Sequence, residues 1–345
     1  MIWPGQVLQT AGYDVDVVTP GDADGQLALV LTTDRAGQPQ VIGLNNPPAC
    51  DVLVLQRPLQ RLLVDAIPHL QDAGIAVVVE LDDDFRHVHP RNVTWPEVQP
   101  ARNPAANWKH LMRACELADW VTVTTPALAA LYAGHGRVSV VPNAVPEVWL
   151  TFERADDPDR GDLPWVGWSG GLNTHPEDLP VMGSAIAQLV NQRVCEFAVV
   201  GTGNGVARQL GIQHLKAAGW QPIDRYPTMM QQFDVGVVPL ESTLFNDAKS
   251  WLKGLEFAAL GVPFVASPTG PYRQLAELGI GELAAKPKQW VGMVRRLVEM
   301  QPEERATIGD LYRQRIVSHG LTIEDQAGQW WAAWERAAAR RLITV

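Results

Sequence analysis

Short apolar runs that alternate with stretches of helical period restrict this chain to layered α/β architectures. The runs Val15–Thr19, Leu27–Leu31, Val52–Leu55, Ile75–Leu81, Val121–Thr124 and Val138–Val141 read as strands, being short and rich in branched aliphatic residues. Helical patterns at Leu59–Ala73 and Trp108–Ala118 lie between some of them. The second half repeats the scheme, with strands at Trp165–Trp168, Cys195–Gly201, Val235–Pro239 and Phe264–Ser267. Its helices fall near Glu177–Asn191, Pro227–Phe233, Lys249–Leu260, Tyr272–Leu278 and Pro287–Met300. Parallel strands need helical crossovers, so the pattern predicts two Rossmann-like, doubly wound α/β domains facing a central cleft. Ligand loops then gather at the strand C-terminal ends along that cleft.

A chain of 345 residues, 46% hydrophobic and 19% charged, has enough core for two such domains. The segment Val138–Leu150 ends in turn chemistry and meets the polar run Glu153–Asp162, which puts the linker near residues 150–162. The expected division is 1–150, 151–320 and a crossing helix at 321–345. That helix, Ile323–Arg341, carries Trp330, Trp331 and Trp334, an aromatic stripe suited to packing on the first domain.

No apolar run approaches the 18 residues of a membrane span, and MIWPGQ lacks the basic and apolar regions of a secretory signal. Cys50, Cys115 and Cys195 read as reduced core thiols, so the expected location is the cytoplasm. The net charge of −10 argues against broad nucleic-acid binding. Residues 1–150 hold 9 Lys/Arg against 16 Asp/Glu, and the remainder 19 against 22.

Chemistry concentrates in Phe245–Tyr272. A helix with its apolar face at Leu252, Leu255, Phe257, Ala258 and Leu260 is closed by Gly261 and Pro263 and followed by a strand. Lys249, Lys253 and Glu256 are spaced by four and three, on one helical stripe. Lys249 and the amides around Ser250 can cradle an anion at the helix start, and Glu256 can take ribose hydroxyls. The stripe reads equally as a surface ion-pair row.

The order Lys249-Ser250, Lys253, Glu256-Phe257, Ala259, Gly261-Val262-Pro263 and Phe264-Val265-Ala266-Ser267 resembles the donor-nucleotide segment of GT-B glycosyltransferases of the family 4-like group, the glycosyl transferases group 1. Residues 119–150 resemble the family's last first-domain strand and linker entry. Residues 165–182 resemble its first donor-domain strand and Gly-rich turn. The resemblance implies a hexosyltransferase that moves sugar from a nucleotide-diphosphate donor, a UDP-sugar first, to an acceptor hydroxyl. Retention at the anomeric carbon and no obligatory metal or cofactor are also implied. The family's second Glu, eight positions before Glu256, is Ala248 here, which leaves the sugar hydroxyls to Asn246 or Asp247. The family opens with a strand before a Gly loop, and Gly5 stands in that place. Only Met1–Trp3 precede Pro4-Gly5, so that strand is very short or the sheet is trimmed.

Three loops converge on the donor with Lys249, Ser250, Lys253 and Glu256. Gly167–Gly171, with Ser169, Gly170 and Gly171, reads as a Gly-rich turn whose amides can approach phosphate. Gly201–Gly205, with Gly201 and Gly203, suits the edge of a base or ribose, or is a plain tight turn. Pro239–Asn246 flanks the transferred sugar. His175 is a minor source of positive charge there.

Across the cleft, Ile75–Leu81 delivers Glu80, Asp82, Asp83 and Asp84, which repel one another and call for a counter-charge. Such a cluster can hold a metal or cap a helix. The resemblance favours Asp82 and Asp83 as acceptor-orienting or general-base groups in catalysis. Arg86–Arg113 carries five of the first half's nine basic residues. Arg86, His87, His89, Arg91 and Trp95 in it suggest an acceptor site for an anionic or aromatic group, or a neutralising partner for the aspartates. His87 and His89 lack a third ligand at metal spacing. The acceptor is then a saccharide, a protein or a hydroxymethylated DNA base, and a catalytically silent nucleotide-sugar binder is the rival class.

Overall fold

The computed structural model describes residues 2–18, 27–154 and 160–344. Two parallel sheets organise it. The first has four strands in sequential order, β3 (Val52–Gln56), β4 (Ala76–Leu81), β5 (Trp120–Val123) and β6 (Val138–Val140). Right-handed crossovers between sequential parallel strands all fall on one face. That face carries Val77, Val79 and Leu81 and packs on helices at 61–72, Trp108–Leu117 and Pro126–Tyr132. Alternation turns Ala76 and Val78 to the other face, which the crossovers leave bare. The helices Ile2–Thr10 and Ile323–Thr344 cover it, burying Leu8, Ile323, Trp330 and Trp334. The tryptophan stripe is therefore core.

The second sheet runs β12 (Glu282–Leu283), β11 (Phe264–Ala266), β10 (Val235–Val238), β7 (Trp165–Gly171), β8 (Glu196–Thr202) and β9 (Lys216–Ala218). Strand order reverses at the β7–β10 pair, so helices lie on both faces and a crevice opens between the C-terminal ends of these two strands. Phe257, Phe264 and Tyr312 fill one face. Trp290, Val294 and Leu297 fill the other. This is the two-domain α/β arrangement expected from the alternation, with the last helix crossing back.

Several local expectations change. No strand precedes Gly5 among the described residues: Gly5 lies in the helix Ile2–Thr10. A side chain there would come within 2.4 Å of Val17 Cγ2, so the glycine lets residues 15–17 lie against that helix. Residues 15–18 are irregular, and Thr19 lies outside the described residues. The run at Leu27–Leu31 becomes β1 (Leu29–Thr33), paired with β2 (Pro39–Leu44) in a separate antiparallel hairpin. Asp34 Oδ1 accepts the Ala36 and Gln38 amides at 2.8 Å and closes its turn. The span Glu177–Asn191 breaks at Gly183 (φ +57°) into a 3-10 turn, Leu179–Met182, and a helix, Ala185–Asn191. The long helix Pro302–Ser318 had no counterpart in the sequence reading. Of the expected linker, residues 155–159 lie outside the described residues. Cys50 is exposed, whereas Cys115 and Cys195 are buried and their thiols are pushed up to about 12 by that burial.

Candidate functional site

The Phe245–Tyr272 segment is built as two helices rather than one. Thr243 caps the short helix Leu244–Ala248 through its hydroxyl, which accepts the Asn246 amide at 3.2 Å. The chain turns extended at Lys249 and becomes helical again at Leu252–Ala259. The break is stitched to the first domain. Thr125 Oγ1 donates to Ala248 O at 2.8 Å, Asn143 Nδ2 donates to Ser250 Oγ at 2.8 Å, and Trp251 Nε1 donates to Asn143 O at 2.8 Å. Lys249 and Ser250 therefore precede the helix instead of opening it, because three inter-domain bonds outweigh helical continuity.

The break splits the charged stripe. The Lys249 ammonium lies 3.4 Å from Asp83 Oδ1 in the first domain and 4.4 Å from the centre of the Phe245 ring. Lys253 stays with Glu256. Its Nζ donates to Glu256 Oε2 and to Tyr226 Oη, each at 2.7 Å. Tyr226 Oη donates to Glu256 Oε2 at 2.8 Å and meets Ser169 Oγ at 3.0 Å. Ser169 is on β7, at the strand reversal, so this four-residue network sits where the topology opens its crevice. Burial alone would lower the Lys253 pKa, but Glu256 and Tyr226 more than offset it, and the ammonium is held charged. Burial and then Glu256 raise the Tyr226 hydroxyl, keeping it a donor.

Ser169, Gly170 and Gly171 are the last residues of β7, not a turn. The turn follows, with the Thr174 and His175 amides donating to Gly171 O at 3.1 and 2.9 Å. Gly201 (φ +125°) is forced by the neighbouring strand, since a Cβ there would lie 2.2 Å from Gly170 O. Gly203 follows β8, in the loop before the helix Val206–Leu210. Asn246 is buried and gives its amide nitrogen to Asp178 Oδ1 and Glu241 O, both at 2.9 Å. That nitrogen is a structural pin and is not free for a sugar. His175 Nδ1 meets Asp178 Oδ2 at 2.7 Å.

The cations paired with Asp82 and Asp83 come from outside the Arg86–Arg113 loop, and His87 of that loop meets Asp84. Arg57 grips Asp82 bidentately, Nε to Oδ1 at 2.7 Å and Nη2 to Oδ2 at 2.5 Å, from a left-handed backbone (φ +49°). Lys249 takes Asp83, and His87 Nδ1 takes Asp84 Oδ2 at 2.6 Å. The Arg86 guanidinium lies 5.7 Å from the Trp108 ring centre. His89 Nδ1 accepts the Arg91 amide at 3.1 Å, so the two histidines do not converge. Trp95 starts the short helix Trp95–Val98 and packs on the first core. Arg91 pairs with Glu177 of the second domain. Asn92 Nδ2 and Val93 N donate to Thr174 O and Asn173 O at 2.9 Å. The loop thus spans the cleft. Glu80 is 6% exposed, its Oε2 has no partner, and burial followed by Asp82 raises its pKa to about 7.

Among the described residues no group of His, Cys, Asp or Glu is arranged to hold a metal ion. None of their helices is long and apolar enough to cross a membrane. A cavity of about 310 Å³ beside Asp234 and helix Pro302–Ser318 is lined in part by Leu260, Gly261 and Pro263 and by none of the donor, acceptor or catalytic candidates.

Sequence reasoning missed Tyr226, Asp178, Arg57, Asn143 and Thr125. Each acts on a partner between 25 and 123 positions away, and no local pattern marks such a pairing; Thr125 with Ala248 is the extreme, at 123 positions.

Two α/β domains, with a strand reversal at the second sheet's C-terminal edge and a facing acidic strand end, define a GT-B-fold protein. Residues 164–300, under half of the chain, match the family model of the glycosyl transferases group 1. Solved structures share the fold at low identity. A UDP-forming α,α-trehalose-phosphate synthase from Burkholderia vietnamiensis has a TM-score of 0.55 at 13% identity, over 85% of this chain and 74% of that one. An E. coli trehalose-6-phosphate protein bound with UDP-2-fluoro glucose gives 0.54 at 14%, over 83% and 73%. A mutant TarM from S. aureus, in complex with fondaparinux, α-GlcNAc-glycerol and UDP, gives 0.53 at 13%, over 79% and 54%. No curated protein matches in sequence.

Proposed function

We propose that the protein transfers a hexosyl group from a nucleotide-diphosphate sugar, a UDP-sugar first, to an acceptor hydroxyl, with retention and without an obligatory metal. The observation that carries this reading is Glu256. Its Oε2 receives both Lys253 and Tyr226, which leaves Oε1 for the vicinal hydroxyls of a ribose at the crevice. Lys249 then turns from Asp83 to the diphosphate and stabilises the leaving group. Asp83, released, orients the acceptor hydroxyl with Asp82 beside it. Closure of the two domains excludes water from the reactive glycosyl centre. The loop from Arg86 to Trp95 bounds the acceptor side, and a saccharide or polyol acceptor fits the relatives' ligands. Three free cysteines suit a reducing compartment, the cytoplasm.

A thermal-shift screen of UDP-, GDP-, ADP- and dTDP-sugars tests the donor. A ligand at 100 times its Kd adds roughly 2.7 kcal/mol. Transfer assays with and without chelator, with the product anomer read by NMR, test metal dependence and retention. No stabilisation by any of the four donors would overturn the reading.

A further inference from the structure

Of thirteen tryptophans, twelve are buried or half-buried, and Trp220 alone is exposed, at 67%. An exposed indole is often incidental surface, but this one is fixed. Trp220 stands two residues beyond β9, and its Nε1–H donates to Thr202 Oγ1 at 2.9 Å. Thr202 ends β8 and pairs in register with Gly171 at the end of β7. The indole edge is therefore anchored on the C-terminal rim of the second sheet, one strand from Gly171, with its remaining surface open to solvent. Strand spacing and rise put Thr202 on the order of 8 Å from Ser169, the β7 member of the Glu256 network. A nucleoside spans that distance.

We propose that Trp220 is the stacking platform for the donor's nucleobase, and so a further donor-binding residue that holds a planar aromatic base without reading its hydrogen-bonding edge. This rests on the nucleotide-sugar reading above. Anchoring by Thr202 removes the rotamer freedom that a surface indole would otherwise lose on binding. Stacking of a base on an aromatic side chain contributes about 1–3 kcal/mol, and the π-face accepts any base.

The test is calorimetric titration of wild type, Trp220→Ala, Trp220→Phe and Glu256→Ala with UDP, GDP, ADP and dTDP, and with inorganic pyrophosphate as the base-free probe. Trp220→Ala should weaken the best-bound nucleotide roughly 5- to 100-fold. Trp220→Phe should stay within about threefold of wild type, because a ring remains. Pyrophosphate affinity should be equal in wild type and both Trp220 variants. Unchanged nucleotide affinity in Trp220→Ala, with loss in Glu256→Ala, overturns the platform and leaves the nucleotide reading standing. An equal fall in pyrophosphate affinity also overturns it, since the effect would not be on the base. If wild type binds none of the four nucleotides, both readings fall.

Discussion

Lys249 Nζ stands 3.4 Å from Asp83 Oδ1, joining the break between helices Leu244–Ala248 and Leu252–Ala259 in one domain to the turn after β4 in the other. The cation that the leaving diphosphate needs is thus held by the carboxylate proposed to meet the acceptor. Both side chains are partly exposed, so the pair itself is worth little more than about 1 kcal/mol. Asp83→Asn should therefore tighten UDP binding by roughly two- to fivefold while it depresses transfer. Lys249→Ala should weaken UDP binding about 10- to 100-fold through loss of a charge-assisted contact. Titration calorimetry reads both, and weaker UDP binding in Asp83→Asn would refute the parked-lysine account.

The Glu256 network makes a second, separable prediction. Tyr226→Phe removes one donor from Glu256 Oε2 and one partner each from Lys253 and Ser169, all buried or half-buried. The expected cost is about 1–3 kcal/mol in denaturant unfolding, with a several-fold loss of UDP affinity as the carboxylate loosens. Glu256→Gln should keep most of the stability and lose more affinity. A Tyr226→Phe variant that matches wild type in both measurements would remove the network from the site.

Glu80 gives a pH dependence with a definite sign. In the folded protein it holds its proton to about 7, against an ordinary value of 4.5, because it is buried and faces Asp82, which Arg57 only partly offsets. The folded state therefore binds more protons than the unfolded chain between these values, and this group's contribution falls as pH rises through that window. The fall is a few kcal/mol at most. Glu80→Gln should match wild type near pH 5 and exceed it above pH 7 when melting temperature is followed against pH. Parallel curves would show that Glu80 ionises in the folded state as it does in water.

What was legible in the sequence follows from the range of the signal. Strand runs such as Val52–Gln56 and Ala76–Leu81 are written in consecutive residues, and they came through nearly intact. Lys249, Lys253 and Glu256 were legible as residues, but the break between Lys249 and Leu252 was not, since it is set by Thr125 and Asn143 more than a hundred positions away. The Gly170–Gly171 pair shows the same limit. Consecutive glycines favour a turn by local rules, yet Gly201 of β8 approaches so closely that the strand runs through them. Sequential order in the first sheet is also invisible locally, although it decides which face the last helix must cover.

That covering role makes the last helix a stability element for the first domain. Trp330 is buried among Leu8, Ala76 and Val78, on the face of β4 opposite the crossover helices. Trp330→Ala should cost about 3–5 kcal/mol, the usual range for a large aromatic removed from a core. It packs in a different core cluster from Leu255, Phe257 and Tyr226, the neighbours of Glu256, so nucleotide affinity at a temperature where the variant is folded should match wild type. Denaturant unfolding and UDP titration of the same sample separate the two. A loss of affinity with unchanged stability would mean that the tryptophan stripe serves the ligand and not the core.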